Sequence, residues 1–427
     1  MQRLKVSDNR RFLVYEDGSP FFYLGDTAWE LFHRLDREET EHYLQDRAAK
    51  QFTVIQAVVL AEYEFDKPGP SGFLPLEDND PARPNAGYFA HVDWVVARAN
   101  ELGLTVGMLP TWGDKWNKAW GAGPELFTPE NARTFGQFLG RRYAGADLIW
   151  ILGGDRPVET ETHREVITAM AEGLAEGDGK AHLRTFHPPG GHGSSEYFPD
   201  APWLDFHAWQ SGHTRNTANY ALIARDYARA PVRPTLDMEP GYEDHPESFN
   251  AANGYLDDYD VRKAAYWAVF AGACGHTYGC HDVWQFHAPS RFAPVTTPRT
   301  GWREALQLPG AGQVRHLRAL IESRPVLTRV PDQSLLVSDG GDGGDHVQAA
   351  RAQDGSYVFI YSASGQPFAV RALASGRADA HWFDPRMGEW QGAGRIELAD
   401  TTLFTPPSRG AGQDWALVLD LVREESR

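Results

Sequence analysis

Leu148-Ile-Trp-Ile-Leu-Gly-Gly-Asp155 decides the reading of this chain. Five large apolar residues in a row, without polar alternation, read as a short strand buried on both faces. Strands of that kind belong to parallel sheets covered by helices. The run ends on two glycines and an acid, residues suited to the sharp exit from a strand into a loop.

The pattern repeats on either side. Before it stand Phe21-Phe-Tyr-Leu-Gly-Asp26, Val54-Ile-Gln-Ala-Val-Val-Leu60 and Leu104-Thr-Val-Gly-Met-Leu-Pro110. After it come Leu183-Arg-Thr-Phe-His187, Leu204-Asp-Phe-His-Ala-Trp-Gln210, Pro234-Thr-Leu-Asp-Met-Glu239 and His276-Thr-Tyr-Gly-Cys280. Helical stretches are expected between them, near 38–50, 91–102, 129–143, 160–176, 216–229 and 258–273. Thr128-Pro129-Glu130 and Thr160-Glu-Thr-His carry helix start signals, and Gly103 stands where a terminating glycine belongs. The segment 187–204, rich in Gly, Pro and Ser, predicts a short or missing fifth helix. Eight strands in about 260 residues fit a (β/α)8 TIM barrel, whose usual size is about 250. A doubly wound open sheet is the competitor. It lacks its Gly-rich phosphate loop here, and polar residues sit at the ends of nearly all the strands.

After a helix over Gln313–Ser323 the period changes. Short alternating runs at Ser334–Val337, His346–Arg351, Ser356–Tyr361, His381–Asp384 and Trp415–Leu419, separated by turn signals, predict a small antiparallel β-sandwich. The expected organisation is an N-terminal hairpin over 1–20, a catalytic barrel over 21–325 and a C-terminal β-sandwich over 326–427.

Composition narrows the function. With 58 acids against 41 bases the net charge is −17, and no basic stripe is present, which argues against nucleic acid as a partner. The two cysteines, Cys274 and Cys280, offer neither a disulfide framework nor a zinc-thiolate site. The N-terminus has no apolar h-region and no stretch suits a membrane span, so a cytoplasmic protein is expected. The 14 Trp, 16 Tyr and 22 Phe suit carbohydrate, because indole stacks on sugar faces; filling a large core accounts for most of them. Oligomeric state is left open.

In a barrel, chemistry belongs at the C-terminal ends of the strands. Asp155 ends the fourth run and Glu239 the seventh, 84 positions apart, or three βα units of 28. Retaining glycoside hydrolysis needs two carboxyl groups roughly 5–5.5 Å apart, one a nucleophile and one a proton donor and acceptor. The donor must have a raised pKa, and the nucleophile must stay ionised. Asp155 also reads as a helix cap or a partner of Arg156. Asp237 and Glu243 are rivals to Glu239, with Asp237 the better candidate for a buried hydrogen-bonded support.

Around these two, substrate contact is expected from Asp26, Trp29, Trp112, Asp114, Trp116, His187, His207, Trp209, Tyr242, Tyr278 and Trp284, with Asp282 near the eighth strand. For Asp26 and Trp29 a helix cap and a core indole compete. For His187 an ordinary buried histidine does. Tyr242 stands where it can hydrogen-bond Glu239.

Gly153-Gly154-Asp155, Glu239-Pro-Gly-Tyr-Glu243, Gly25-Asp-Thr-Ala-Trp29 and Thr277-Tyr-Gly-Cys-His-Asp-Val-Trp284 together resemble the apiosidase-like barrels of glycoside hydrolase family 140. Trp382-Phe-Asp-Pro-Arg-Met-Gly388 is similar to the β-sandwich appended to them. The resemblance covers nearly the whole chain. It implies a retaining enzyme, exo- or endo-acting, on plant cell-wall side chains such as those of pectin, or on a plant glycoside such as an apioside. By the same resemblance Asp155 is the acid/base and Glu239 the nucleophile, with no cofactor and no metal. Gly154-Asp155 replaces the Asn-Glu usual on the fourth strand of the wider clan, leaving no Asn there for the sugar 2-hydroxyl. Two other classes remain: a metal-dependent amidohydrolase using His187, His207 and Asp282, and a glycan-binding protein without catalysis. The first lacks the usual His-x-His on its first strand.

Overall fold

Eight parallel strands curl about one axis in the computed structural model, which describes residues 3–373 and 375–422. They are β1 (Tyr23–Thr27), β2 (Val54–Leu60), β3 (Thr105–Thr111), β4 (Leu148–Gly153), β5 (Arg184–His187), β6 (His207–Trp209), β7 (Thr235–Asp237) and β8 (Gly275–Tyr278). Hydrogen-bonded ladders run from β5 through β4, β3, β2, β1, β8 and β7 to β6. The ring closes between β5 and β6, where the Asp205 N–H donates to Arg184 O at 2.9 Å and Thr185 Oγ1 to Phe206 O at 2.7 Å. The fold is a TIM-like barrel.

The helices that follow the strands are α1 (Arg37–Ala49), α2 (Ala86–Glu101), α3 (Pro129–Tyr143), α4 (Glu161–Asp178), α5 (Ser194–Tyr197), α6 (Asn219–Tyr227), α7 (Asp258–Phe270) and α8 (Pro309–Glu322). As the glycine-rich sequence predicted, α5 is a single turn. Helix α2 starts five residues before its expected start, capped by the Asn85 side chain on the Gly87 N–H at 2.9 Å.

Strand periodicity sorts the apolar residues into two shells. Val54, Val58, Leu109, Ile149, Ile151, Leu236 and Met238 fill the barrel interior. Ile55, Ala57, Val59, Met108, Trp150 and Leu152 pack outward under the helices. That double burial is why the strands read as unbroken apolar runs.

Residues Leu4–Val6 and Leu13–Tyr15 pair as a hairpin, and Pro20–Phe21 adds a third short strand. Phe12, Leu13 and Phe21 join the interior shell, so this segment plugs the barrel at the end remote from the strand C-termini. Residues 1–2 of the expected hairpin and 423–427 of the expected sandwich lie outside the described residues.

The C-terminal region is an antiparallel sheet of six strands: Arg329–Pro331, Val347–Ala352, Tyr357–Ser362, Trp415–Leu421, Arg377–Asp384 and Glu389–Glu397, in that spatial order. A separate pair, Phe368–Arg371 with Thr401–Phe404, covers it. Ser334–Val337, expected as a strand, is instead a 3-10 turn over Gln333–Leu335, held by Asp332 accepting the Ser334 N–H at 3.1 Å. The short Asx turn outcompeted β propensity there.

This sheet docks on α7. Arg262, almost wholly buried, donates to Asp414 through Nε at 2.9 Å and Nη2 at 2.7 Å, and Tyr361 OH donates to the same carboxylate at 3.0 Å. Removing one partner of such a pair strands a buried charge. Arg262→Met should therefore cost about 3–5 kcal/mol, read as a lower urea midpoint; an unchanged midpoint would show the interface does not depend on this pair.

Candidate active site

Loops at the C-terminal ends of the strands enclose a cavity of about 610 Å3, within the roughly 300–1,000 Å3 span of small-molecule sites. Asp155 and Glu239 both line it. Asp155 follows β4 through three successive residues with positive φ: Gly153 (96°), Gly154 (104°) and Asp155 itself (57°). The glycines are needed for space as well as conformation. A Cβ on Gly153 would come within 2.4 Å of His187 O, and one on Gly154 within 2.7 Å of Gly113 N. A left-handed aspartate costs about 1–3 kcal/mol and persists only where surroundings enforce it. Here the turn lifts the carboxyl off the strand axis into the cavity, where its side chain is 23% exposed.

Glu239 leaves β7 nearly buried, 5% exposed. His187, at the end of β5, places Nε2 2.8 Å from Glu239 Oε2, and His213 places Nε2 3.2 Å from Oε1. Nδ1 of His187 accepts the Asp155 backbone N–H at 3.3 Å, which leaves the ring proton on Nε2, facing Glu239. That contact is short but off the line of the ring N–H, so Glu239 Oε2 keeps a lone pair without a well-directed donor. Burial pushes the Glu239 pKa up, and the approach of His187 and His213 to its two oxygens outweighs it, holding the carboxyl well below the usual range.

Asp155 is shifted the other way. Burial and then the Glu239 charge raise its pKa, against Arg156, His187 and a Gln210 hydrogen bond. The Arg156 guanidinium forks between Asp155 Oδ2 at 2.8 Å and Glu62 Oε1 at 2.5 Å. Glu62 and Glu30 also line the cavity, and burial raises each to about 7. Two carboxyls with pKa values driven apart, facing one cavity, are equipped for proton transfer by one and attack or charge stabilisation by the other.

Aromatic rings wall the space. Trp29 and Trp112 pack at 5.3 Å between centroids, both against His187, and Trp29 Nε1 donates to Tyr242 OH at 3.0 Å. Burial and then the charge of neighbouring Glu239 raise the Tyr242 pKa well above the ordinary phenol value. Tyr242 and Trp284 complete the set of expected residues that line the cavity, with His187 directly behind Glu239.

The remaining expected contacts lie elsewhere. Asp26 is fully buried against α1, accepting from Arg47 Nε at 2.6 Å and Tyr43 OH at 2.5 Å. Trp116 donates to Gly153 O at 3.2 Å from beneath the β4 turn. Asp114 is buried, bound to Lys115 at 2.7 Å and to the Gly123 N–H at 2.7 Å. Trp209 turns outward to Asp226 at 2.8 Å, and Tyr278 OH donates to Glu243 at 2.5 Å. His207 is buried outside the cavity, its pKa pushed down to about 3 by burial and nearby arginines. Apart from His207, whose buried Nδ1 has no hydrogen-bond partner, each of these polar groups has an internal task.

Asp237 has the expected support role, accepting from Ser211 Oγ at 2.8 Å and Asn219 at 2.9 Å. Asp282 accepts the Arg299 and Thr300 N–H groups at 3.0 and 2.8 Å. His187, His207 and Asp282 do not converge; among the described residues no group of three His, Cys, Asp or Glu is placed to hold a metal ion. Sequence reading did not find Glu30, Glu62, Tyr63, Trp120, Gln210, His213, His245, Phe249 or His281, all of which line the cavity. They come from loops and single helical turns, where no periodicity marks a residue as inward-facing. A signal did exist for His213, since the loop after a barrel strand is where function gathers.

The comparisons agree with this architecture. Two solved structures superpose over 98% of the chain, each with a TM-score of 0.89. One, titled "Glycoside hydrolase", is 31% identical with 96% of its own length covered; the other, a glycoside hydrolase family 5 protein from Bacteroides vulgatus ATCC 8482, is 30% identical with 93% covered. A monomeric β-xylosidase from Caulobacter crescentus CB15 shares the fold at 11% identity and a TM-score of 0.53. Among curated proteins no match was found. Barrel, cavity and relatives define a glycoside hydrolase. Residues 7–328 match the family described as "Apiosidase-like, catalytic domain", and the chain belongs to that family. Residues 330–420 match "Putative collagen-binding domain of a collagenase". No helix among the described residues is long and apolar enough to cross a membrane.

The β4 turn gives a direct test. Gly154→Ala adds a Cβ against the Gly113 backbone at a φ of 104°. We expect a stability loss of about 1–3 kcal/mol in urea unfolding together with a fall in glycosidase activity. A fully stable and active variant would show that the turn tolerates a side chain.

Proposed function

We propose that this protein is a retaining glycosidase in which Glu239 is the nucleophile and Asp155 the acid/base. Its substrate is a plant-derived glycoside or cell-wall oligosaccharide, an apioside in the first instance. The observation that carries this reading is the opposed perturbation of two carboxyls on one cavity: Glu239 held ionised by two histidines, Asp155 raised by burial and by Glu239.

The steps follow from those states. Protonated Asp155 gives its proton to the glycosidic oxygen as the bond to the anomeric carbon breaks. Glu239 Oε2 attacks that carbon from the opposite face, forming a glycosyl ester, and the leaving alcohol departs. Asp155, now ionised, takes a proton from water. The resulting hydroxide-like oxygen attacks the anomeric carbon and releases Glu239. His187 and His213 stabilise the carboxylate at the start and end of the cycle. The apioside assignment rests on membership of the apiosidase-like family, and a screen of aryl and natural glycosides tests it.

Glu239→Gln should abolish turnover, and Asp155→Ala should lower kcat/KM for alkyl glycosides by about 10²–10⁴-fold. Proton NMR of the first-formed product should show the substrate's anomeric configuration. An inverted product, or undiminished activity in Glu239→Gln, would defeat the mechanism.

The pH profile has a sign that the geometry sets. Activity needs Glu239 ionised, which holds above its depressed pKa, and Asp155 protonated, which holds below its raised pKa. The alkaline limb therefore reports Asp155. In Glu62→Gln, Arg156 is left with Asp155 as its one carboxylate partner in the fork, favours the ionised form, and moves that limb to lower pH. A limb that stays in place would remove Glu62 and Arg156 from control of the acid.

A further inference from the structure

Three histidine rings pack in series along one wall of the cavity. His213 lies 4.1 Å from His245 between centroids, and His245 lies 4.6 Å from His281. The mechanism above uses the first of them and not the other two. A neutral imidazole offers one donor and one acceptor, and the partner of either nitrogen fixes which is which. His245 and His281 are neutral: burial first, then neighbouring His213, pushes their pKa values down to about 2 and about 3.

Their partners have fixed polarity, so each proton has one place to be. His245 Nδ1 stands 2.7 Å from Pro246 O, a carbonyl that accepts and never donates. Nδ1 therefore carries the proton, and Nε2 keeps a bare lone pair. His213 Nδ1 is sealed away from any space, whereas His245 Nε2 is not, and among the described residues no donor reaches it. Its lone pair opens on the cavity that the ring lines.

His281 is set the opposite way. Trp284 Nε1, an indole N–H that donates and never accepts, stands 3.2 Å from its Nδ1. The proton is left on Nε2, 2.7 Å from Thr296 Oγ1, which accepts it. The threonine's own hydroxyl proton then has no acceptor among the described residues and turns toward the cavity that Thr296 lines. Thr296 is also held at a φ of 55°, a region β-branched residues rarely adopt, and strain of that kind gathers at ligand clamps.

The wall faces a particular part of the substrate. His245 follows Glu239 on the loop after β7, and His281, Trp284 and Thr296 come from the segment after β8, across the ring from β4 and Asp155. The nucleophile bonds the anomeric carbon, so its side of the cavity meets the glycone, while the acid/base meets the departing oxygen. Resting on the glycosidase reading above, we infer that His245 and Thr296 are specificity determinants that clamp two glycone hydroxyls with opposite polarity. His245 Nε2 accepts the proton of one hydroxyl, and Thr296 donates to the oxygen of another. The first hydroxyl must keep its proton; the second is read as an acceptor.

Two measurements test the clamp. The first needs no substrate: nitrogen NMR of protein labelled with 15N-histidine, with the rings assigned through His245→Gln and His281→Gln. The expected proton positions are Nδ1 of His245 and Nε2 of His281, and the opposite tautomer on either ring would overturn the inference. The second uses p-nitrophenyl apioside and analogues in which one glycone hydroxyl at a time becomes hydrogen or fluorine. His245→Phe, which keeps a ring against His213, and Thr296→Val should each lower kcat/KM for the parent about tenfold. The His245→Phe loss should vanish with both the deoxy and the fluoro analogue at one position, since neither can donate. The Thr296→Val loss should vanish with the deoxy analogue at another position and persist in part with the fluoro analogue, which still accepts. Losses of the same size on the parent and on all analogues would mark a structural role and overturn the clamp. Wild-type failure on every apioside would count against the apioside reading instead, and the two tautomers then decide the inference.

Discussion

One carboxylate held ionised in a nearly buried position is the constraint on which the site depends. Burial alone would protonate Glu239. What prevents this is the arrival of His187 from the end of β5 and His213 from the loop after β6, on the two oxygens of one side chain at the end of β7. The same His187 ring receives the Asp155 N–H, so it ties the two acids into one frame and fixes its own proton toward Glu239. Trp29 and Trp112 pack on that ring and Tyr242 ties to Trp29, which keeps the histidine from turning. The electrostatics of the pair is therefore inherited from barrel geometry: the strand ends and the loops after them put these residues within reach of one another.

The second constraint is conformational. Asp155 reaches the cavity because three residues in succession adopt positive φ, two of them glycines with no room for a side chain. Gly153-Gly154 was readable as a turn signal, but its purpose was not, since nothing in a sequence states which backbone atoms will crowd a missing Cβ. Arg156, adjacent in the chain, then carries the Asp155 environment outward to Glu62 and to the loop at 117–125.

Legibility followed burial. Strands buried on both faces announced themselves as apolar runs, and β2 spans the very run read from the sequence, Val54–Leu60. Glu389–Glu397, an exposed edge strand with two glycines, carries no alternating apolar face and was missed. At the site, acids at strand ends were legible because barrel logic says where to look. Asp26 and Asp114 obeyed the same logic and yet serve internal pairing, with Arg47 and Lys115. Their partners lie 21 and one positions away, and sequence alone does not say whether an acid at a strand end turns to a cation or to a ligand. Histidines were the least legible: His187 and His207 look alike as strand residues, but one holds Glu239 from behind and the other is buried away from the cavity.

The account stands on Glu239 forming a bond to the sugar. A 2-deoxy-2-fluoro glycosyl fluoride of the sugar the enzyme accepts slows release of that bond and lets the adduct accumulate. Peptide mass spectrometry of the inactivated protein should find one glycosyl unit on the fragment containing Glu239, with Asp155 unmodified. Stoichiometric label on any other residue, or rapid turnover to an inverted product without a trapped adduct, would contradict it.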